Sequence, residues 1–240
     1  MERELPFLGH LEELRKRIII SLAALIITTL ICLPFSAHIF RILKLPMAGV
    51  VDKLAFFGPE EAFMIYMKVA FFAGFLAALP VIAYQCWAFA APAIEDRLRR
   101  YTAHFVLLCS LAFLAGCSFA YFALLPNALR FLLGFALEDL EPVISADKYI
   151  SFVIAITACS GIVFEMPVLS FLLTRAGIID AGLLRRKFGW AVIMIALAAA
   201  VITPTTDIFN MLLMAVPMLA LYEVSIWVSF LASKGRYGKD

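Results

Sequence analysis

The sequence predicts an all-α, polytopic membrane protein with six transmembrane helices and both termini on the cytoplasmic side. Three observations carry that expectation. Apolar residues make up 64% of the 240 and charged residues only 16%, too little polar surface to cover a water-soluble domain of this length. The apolar residues fall into continuous stretches near the ~20 residues that cross ~30 Å of hydrocarbon. Lysine and arginine are shared unevenly between the segments joining those stretches, and that bias sets orientation.

The spans are expected at about residues 18–35, 67–91, 105–125, 149–174, 188–202 and 208–231. Helix is expected rather than strand because the runs are continuous instead of alternating, and because lipid offers no partner to an open sheet edge. No cleavable signal peptide is expected: the first apolar run follows Arg15, Lys16 and Arg17 and is too long for a signal core. One side of the membrane receives Arg3, Arg15–Arg17, Arg97, Arg99, Arg100, Arg175, Arg185–Lys187, Lys234, Arg236 and Lys239. The other receives only Arg41, Lys44, Lys53, Lys68, Arg130 and Lys148, which puts both ends inside. The two long outer connections, 36–66 and 126–148, carry apolar sets (Ile39, Phe40, Leu43; Leu129, Phe131, Leu132, Phe135) that predict short helices lying over the outer face. The link between the last two spans, 203–207, reads as a tight Pro-containing turn. Without a repeat or a low-complexity tract, residues 1–240 are expected to form one transmembrane domain.

Several function classes find no machinery. A net charge of +2 lacks the dense basic face that nucleic acid requires. Cys32, Cys86, Cys109, Cys117 and Cys159 lie inside apolar runs with no CxxC spacing and no nearby histidine, so they read as small core hydrophobes and no metal or other cofactor is expected. No P-loop, GxSxG elbow, HExxH or intramembrane aspartate pair is present, so no catalytic residue is assigned and the chain is not expected to be an enzyme.

Three features could carry function. The fifth span covers only about 22 Å at ~1.5 Å per residue, and the apolar run from Asn210 to Tyr222 in the sixth about 18 Å. Either Trp190 and Trp227 anchor short, untilted helices, or this edge thins the bilayer locally. Glu165 lies about 24 Å along the fourth span from Tyr149 and about 15 Å from Arg175, deep in hydrocarbon. An ionised carboxylate there costs at least ~2.5–3.5 kcal/mol, so it must be protonated, solvated or matched by a polar partner. Pro167 removes a helix hydrogen bond and predicts a bend, and with Ser160 and Gly161 it suggests a concave, partly wet surface. The third feature is the turn His10-Leu11-Glu12-Glu13-Leu14-Arg15-Lys16-Arg17, a charged cap that fixes topology and places carboxylates where a cationic ligand could arrive.

Together with Pro59-Glu60-Glu61-Ala62-Phe63, Tyr84-Gln85-Cys86-Trp87-Ala88-Phe89-Ala90-Ala91-Pro92, Phe164-Glu165-Met166-Pro167, Thr203-Pro204 with Asp207, and Pro217-Met218 with Leu221-Tyr222-Glu223, that turn resembles the TatC family from about Phe7 to Leu231. The resemblance implies a cupped six-helix fold in the inner membrane and a receptor of the twin-arginine translocation system, which exports folded proteins using the proton-motive force. By similarity, Glu13 accepts the paired arginines of a signal peptide, with Arg15 beside it, while Phe89 and Pro46 serve signal recognition and scaffold integrity. Glu165, Asp207, Glu61 and Phe63 are implied polar or partner contacts. Partners would be twin-arginine signal peptides, TatA- and TatB-type single-span proteins and further copies of the chain. In one departure, the family's second acceptor, a Glu before a basic pair, is Leu98 here; Glu95, one helical turn earlier, or Asp96 is expected to take its place. In another, Thr205-Thr206 lengthens the turn before Asp207 by one residue. Two competing readings are a proton-coupled small-solute carrier using Glu165 and Glu223, and a scaffold that only nucleates assembly.

Overall fold

The structure, a computed structural model, describes residues 7–47, 54–90, 102–134, 143–202 and 208–237. Ten α-helices occupy them: α1 (Phe7–Cys32), α2 (Ser36–Lys44), α3 (Pro59–Ala90), α4 (Thr102–Phe119), α5 (Leu125–Gly134), α6 (Ala146–Phe164), α7 (Met166–Arg175), α8 (Ala181–Arg186), α9 (Phe188–Ile202) and α10 (Ile208–Tyr237). Among the described residues the only extended pairing is an isolated bridge between Ala55 and Ser145.

Proline explains most of the interruptions. Pro34 and Pro46 each sit in a 3-10 turn, Leu33–Phe35 and Leu45–Met47, that ends a helix. Pro167 lies in the first turn of α7 just past Glu165, and the fourth apolar stretch is two helices meeting at that acid, a break in the ladder beside the proline. Pro80 and Pro217, by contrast, lie inside α3 and α10, which run on through them. Among the described residues five stretches are long and apolar enough to cross a membrane: Leu11–Met47, Pro59–Phe89, Thr102–Leu132, Ala146–Arg175 and Met211–Ser233; Phe188–Ile202 is a shorter apolar helix. α2 and α5 begin the two long connections, 36–66 and 126–148, where short helices were expected.

Three expectations change. The last helix is not short, because α10 passes Tyr222 and Glu223 without a break for 30 residues, whereas α9 keeps its 15. Glu223 is exposed, so the polar residue interrupts the apolar run without interrupting the hydrogen-bond ladder. Ser160 and Gly161 are buried by helix packing instead of lining an open surface. Cys86 is exposed, so only some of the five cysteines act as core filler.

The chain forms two compact units, Met1–Phe40 with Tyr66–Ser110, and Arg41–Ile65 with Leu111–Asp240. In the first, α1 and α3 approach so closely that a Cβ at Gly74 would fall 2.6 Å from the Thr29 backbone. The approach lets Thr28 Oγ1 donate to Gly74 O at 2.8 Å, the small-residue and hydroxyl packing that replaces the hydrophobic drive between helices in lipid. At the end of α3, Trp87 Nε1 donates to Thr102 Oγ1 at 2.9 Å and stacks at a tilt on Phe105, centroids 4.3 Å apart.

The second unit repeats the device twice. Gly116 of α4 abuts the Ser160 carbonyl of α6 and Gly161 abuts the Phe113 ring, each leaving no room for a Cβ. Ser170 Oγ donates to Ser225 O at 3.0 Å and Thr174 Oγ1 pairs with Ser229 Oγ at 2.8 Å, a one-turn repeat that zips α7 to α10.

These contacts differ in what they tolerate. Gly74→Val is expected to overpack α1 against α3 at ~1–3 kcal/mol or more, while Ser229→Ala should cost only ~0.6 kcal/mol. Thermal unfolding of the purified protein in detergent checks the order: Gly74→Val must fall well below Ser229→Ala.

Candidate functional site

The charged turn expected from the sequence is the second turn and onward of α1, continuous with the membrane-spanning helix. Glu13 and Arg17 stand one turn apart on one face, as i,i+4 spacing dictates, and form the ion pair recorded there: Arg17 Nη2 and Nε donate to Glu13 Oε1 at 2.5 and 3.1 Å. The remaining end of the guanidinium crosses to α3, where Arg17 Nη1 donates to Gln85 Oε1 at 3.2 Å. Gln85 is buried and both charged groups are about three-quarters buried. The triad therefore lies at the edge of the helix packing, half withdrawn from water.

Beside it runs a groove of about 520 Å³ lined by Gly9, Glu12, Glu13, Arg15, Lys16, Ile19 and Ile20. Carboxylates and cations share its mouth, and isoleucines continue it toward the apolar span. Arg15 is exposed and shares the groove with Glu13; Phe89 is exposed at the next-to-last residue of α3. Glu95, Asp96 and Leu98 lie outside the described residues, as does Asp207.

The remaining candidates belong to the second unit. Pro46 is half-buried in the turn whose Met47 is fully buried. Two tyrosines brace the helix before that turn: Tyr121 OH donates to Ile42 O at 2.6 Å and Tyr149 OH to Leu43 O at 2.9 Å. These carbonyls are in the last turn of α2, where the helix has no donors of its own for them. Glu61 caps the start of α3, its Oε2 accepting from Phe57 N–H at 2.9 Å where the helix dipole favours a negative charge. Phe63, one turn inside, stays 65% exposed. Glu165 is the hinge residue: its N–H donates to Ile162 O at 3.1 Å and its carbonyl accepts from Leu169 N–H at 2.9 Å. Its carboxyl Oε1 is buried, and the preceding Phe164 packs on Phe119 with centroids 5.7 Å apart. The Glu61 carboxylate is thus tied to the start of its own helix and the Glu165 backbone to the two helices that meet at it, while the Glu13 carboxylate is held by Arg17.

The sequence reading missed Gln85 as a partner of this pair. The Glu13–Arg17 contact was available from the four-residue spacing; Gln85 was not, because its 68-residue separation from Arg17 is closed only by α1 packing on α3.

The family model described as Sec-independent protein translocase protein (TatC) matches residues 9–217. The chain belongs to the TatC family. A Sec-independent protein translocase protein TatC of Koribacter versatilis is 40% identical over 233 residues, covering 95% of this chain and 86% of its own. Another from Campylobacter jejuni is 39% identical over 224 residues, covering 91% of each. A crystal structure of the twin-arginine translocase receptor TatC superposes with a TM-score of 0.80 at 38% identity, over 93% of this chain and 99% of that one. A small-solute carrier finds no support in these likenesses. TatC membership describes a multi-pass membrane protein of a protein-translocase family, which is not a known enzyme family.

The Tyr149 brace behind Pro46 gives a direct expectation for this TatC chain. Tyr149→Phe removes the donor to a buried carbonyl and should cost about 1–3 kcal/mol, read as a lowered midpoint of thermal unfolding in detergent. An unchanged midpoint would mean that the hydroxyl contributes nothing to holding the turn.

Proposed function

We propose that this chain is the receptor core of a twin-arginine translocation system: it binds the paired arginines of signal peptides and nucleates export of folded proteins driven by the proton-motive force. The observation that carries the reading is the Glu13 carboxylate at the mouth of a groove that passes from charged to apolar residues along α1. A signal peptide has the complementary order, a positive segment followed by an apolar one. A guanidinium matches a carboxylate with a planar fork, which a lysine ammonium does not.

In this reading residues 1–240 act as one domain of six crossings in the inner membrane, with both termini cytoplasmic. The bias of Lys and Arg supports the orientation, and the short apolar α9, with exposed Trp190 in its first turn, supports the sixth crossing. Glu13 is the first arginine acceptor. Glu95 is the second, with Asp96 its weaker neighbour, in place of the acid that Leu98 replaces. Arg15 and Phe89 complete the recognition surface, and Pro46 secures the scaffold. Glu165, Asp207, Glu61 and Phe63 meet partner helices of the TatA and TatB type, and further copies of the chain join the receptor complex. Exposed apolar side chains along α1, among them Ile19, Leu22, Ile26, Leu30 and Ile31, supply a face for lipid or such helices. No enzymatic step is assigned to any residue.

Site-specific crosslinking tests the assignment. A signal peptide bearing two arginines is expected to crosslink next to Glu13, to lose most of the product when the arginines become lysines, and to lose it with Glu13→Gln. Equal crosslinking by both peptides ends the receptor reading. Glu95→Gln should weaken binding about as much as Glu13→Gln; normal binding by Glu95→Gln would remove Glu95 from the site and leave Glu13 standing.

A further inference from the structure

Near the end of its apolar stretch α10 leaves a groove against α8. The groove, about 330 Å³, is lined by Ala181, Gly182 and Arg185 from α8 and by Ile226, Trp227 and Phe230 from α10. Its walls are fixed before anything enters. Tyr222 OH donates to Leu184 O at 2.8 Å, and the Tyr222 ring packs on Phe188 with centroids 6.0 Å apart, so α8 and the start of α9 are pinned to α10. The apolar stretch of α10 ends at Ser233, six residues and about 9 Å beyond Trp227. The groove therefore lies where acyl chains give way to headgroups, the depth at which indole rings collect. Trp227 is 64% and Phe230 44% exposed, so the aromatic wall is open to the membrane. Arg185 is exposed too, and Arg186 and Lys187 follow it. Among the described residues nothing gives the Arg185 guanidinium an ion pair or a hydrogen bond.

We propose that this groove holds an anionic phospholipid, with its phosphate on the Arg185 guanidinium and an acyl chain along Trp227 and Phe230. The proposal rests on the groove alone and on no role for Glu13. A guanidinium fork matches two phosphate oxygens, and basic side chains set between helices at the membrane surface recruit acidic headgroups. Among the described residues no acid lines the groove. Asp180, just before α8, has its Oδ1 engaged as the helix cap, accepting from Leu183 N–H at 2.6 Å. Glu223 is exposed one turn from Trp227 on the side away from the headgroups. The apolar wall favours a lipid of any charge. A zwitterionic headgroup also offers a phosphate, but it brings a cation toward Arg185, Arg186 and Lys187, which repel it; a net negative headgroup carries no such cost. Headgroup preference therefore belongs to the arginine, and overall affinity to the aromatic wall. A lipid held this way bridges α8 to α10 and steadies the corner from which the short α9 starts.

The test measures dissociation constants of phosphatidylglycerol and phosphatidylcholine for the purified full chain in detergent, read by native mass spectrometry. The native chain should prefer phosphatidylglycerol, and Arg185→Gln should narrow that preference by about fivefold, the worth of one basic side chain at a membrane surface. Arg185→Lys keeps the charge and should keep most of the preference. Arg186→Gln changes a neighbouring cation that does not line the groove, and should narrow the preference clearly less than Arg185→Gln. Trp227→Ala should weaken both lipids and leave their ratio alone. Equal affinity of the native chain for the two lipids would make the groove an apolar face for any lipid or helix, and overturns the proposal. Equal losses in Arg185→Gln and Arg186→Gln would mean a diffuse basic rim without a site, and overturn it as well. Photocrosslinking of the unaltered chain decides without a variant that must fold. A phosphatidylglycerol with a photoactivatable acyl chain should label residues 226–230 above residues 18–31 of α1, and unlabelled phosphatidylglycerol should displace it better than phosphatidylcholine; even labelling of the two helices rejects the site.

Discussion

Hydrocarbon gives a peptide group nothing to bond to, and the architecture of this chain is built around that deficit. Each long apolar stretch resolves it by closing its own hydrogen bonds in a helix. Association between the helices then needs a source other than burial, since lipid tails are as apolar as leucine. Where they meet, glycine lets backbones touch and hydroxyls bond across: Thr28 with Gly74, Gly116 with Ser160, Ser170 with Ser225, Thr174 with Ser229. The bulky side chains point the other way. Leu30, Ile31, Phe71, Leu107 and Val201 are all exposed, as the outer surface of a protein solvated by lipid should be.

The two acids proposed as contact sites lie where that economy is broken. Glu165 sits at the one position of the fourth apolar stretch where the ladder changes helix, so the carboxyl that is hardest to bury coincides with a backbone that is already interrupted. Glu13 sits at the opposite kind of boundary, where α1 passes from charged to apolar residues. Its pairing with Arg17, which also donates to Gln85, leaves it partly withdrawn from water yet open to a groove. In such a setting a charge-assisted bond is stronger than in bulk water and its geometry counts for more.

The two long connections serve a different end. α2 ends in carbonyls that its own helix cannot satisfy, and the hydroxyls of Tyr121 and Tyr149 reach them from α6 and the turn after α4. Pro46 follows at once and blocks any continuation of the helix. This is bracing, and it fits the scaffold role proposed for the proline.

Sequence alone determined the helical class, the apolar stretches, the short fifth helix and the interruption beside Pro167. Each follows from local chemistry: run length against bilayer thickness, and proline's missing donor. The Glu13–Arg17 pair was also within reach, because four residues make one turn. The continuity of α10 through Glu223, the burial of Ser160 and Gly161, and the exposure of Cys86 were not legible, since helix propensity and polarity say nothing about which face meets a neighbour. Only tertiary structure brought Gln85 to Arg17. That contact depends on the depth to which α1 and α3 interlock, and this is set by the absence of a side chain at Gly74 and the hydroxyl of Thr28, a property of two helices together that neither stretch encodes by itself.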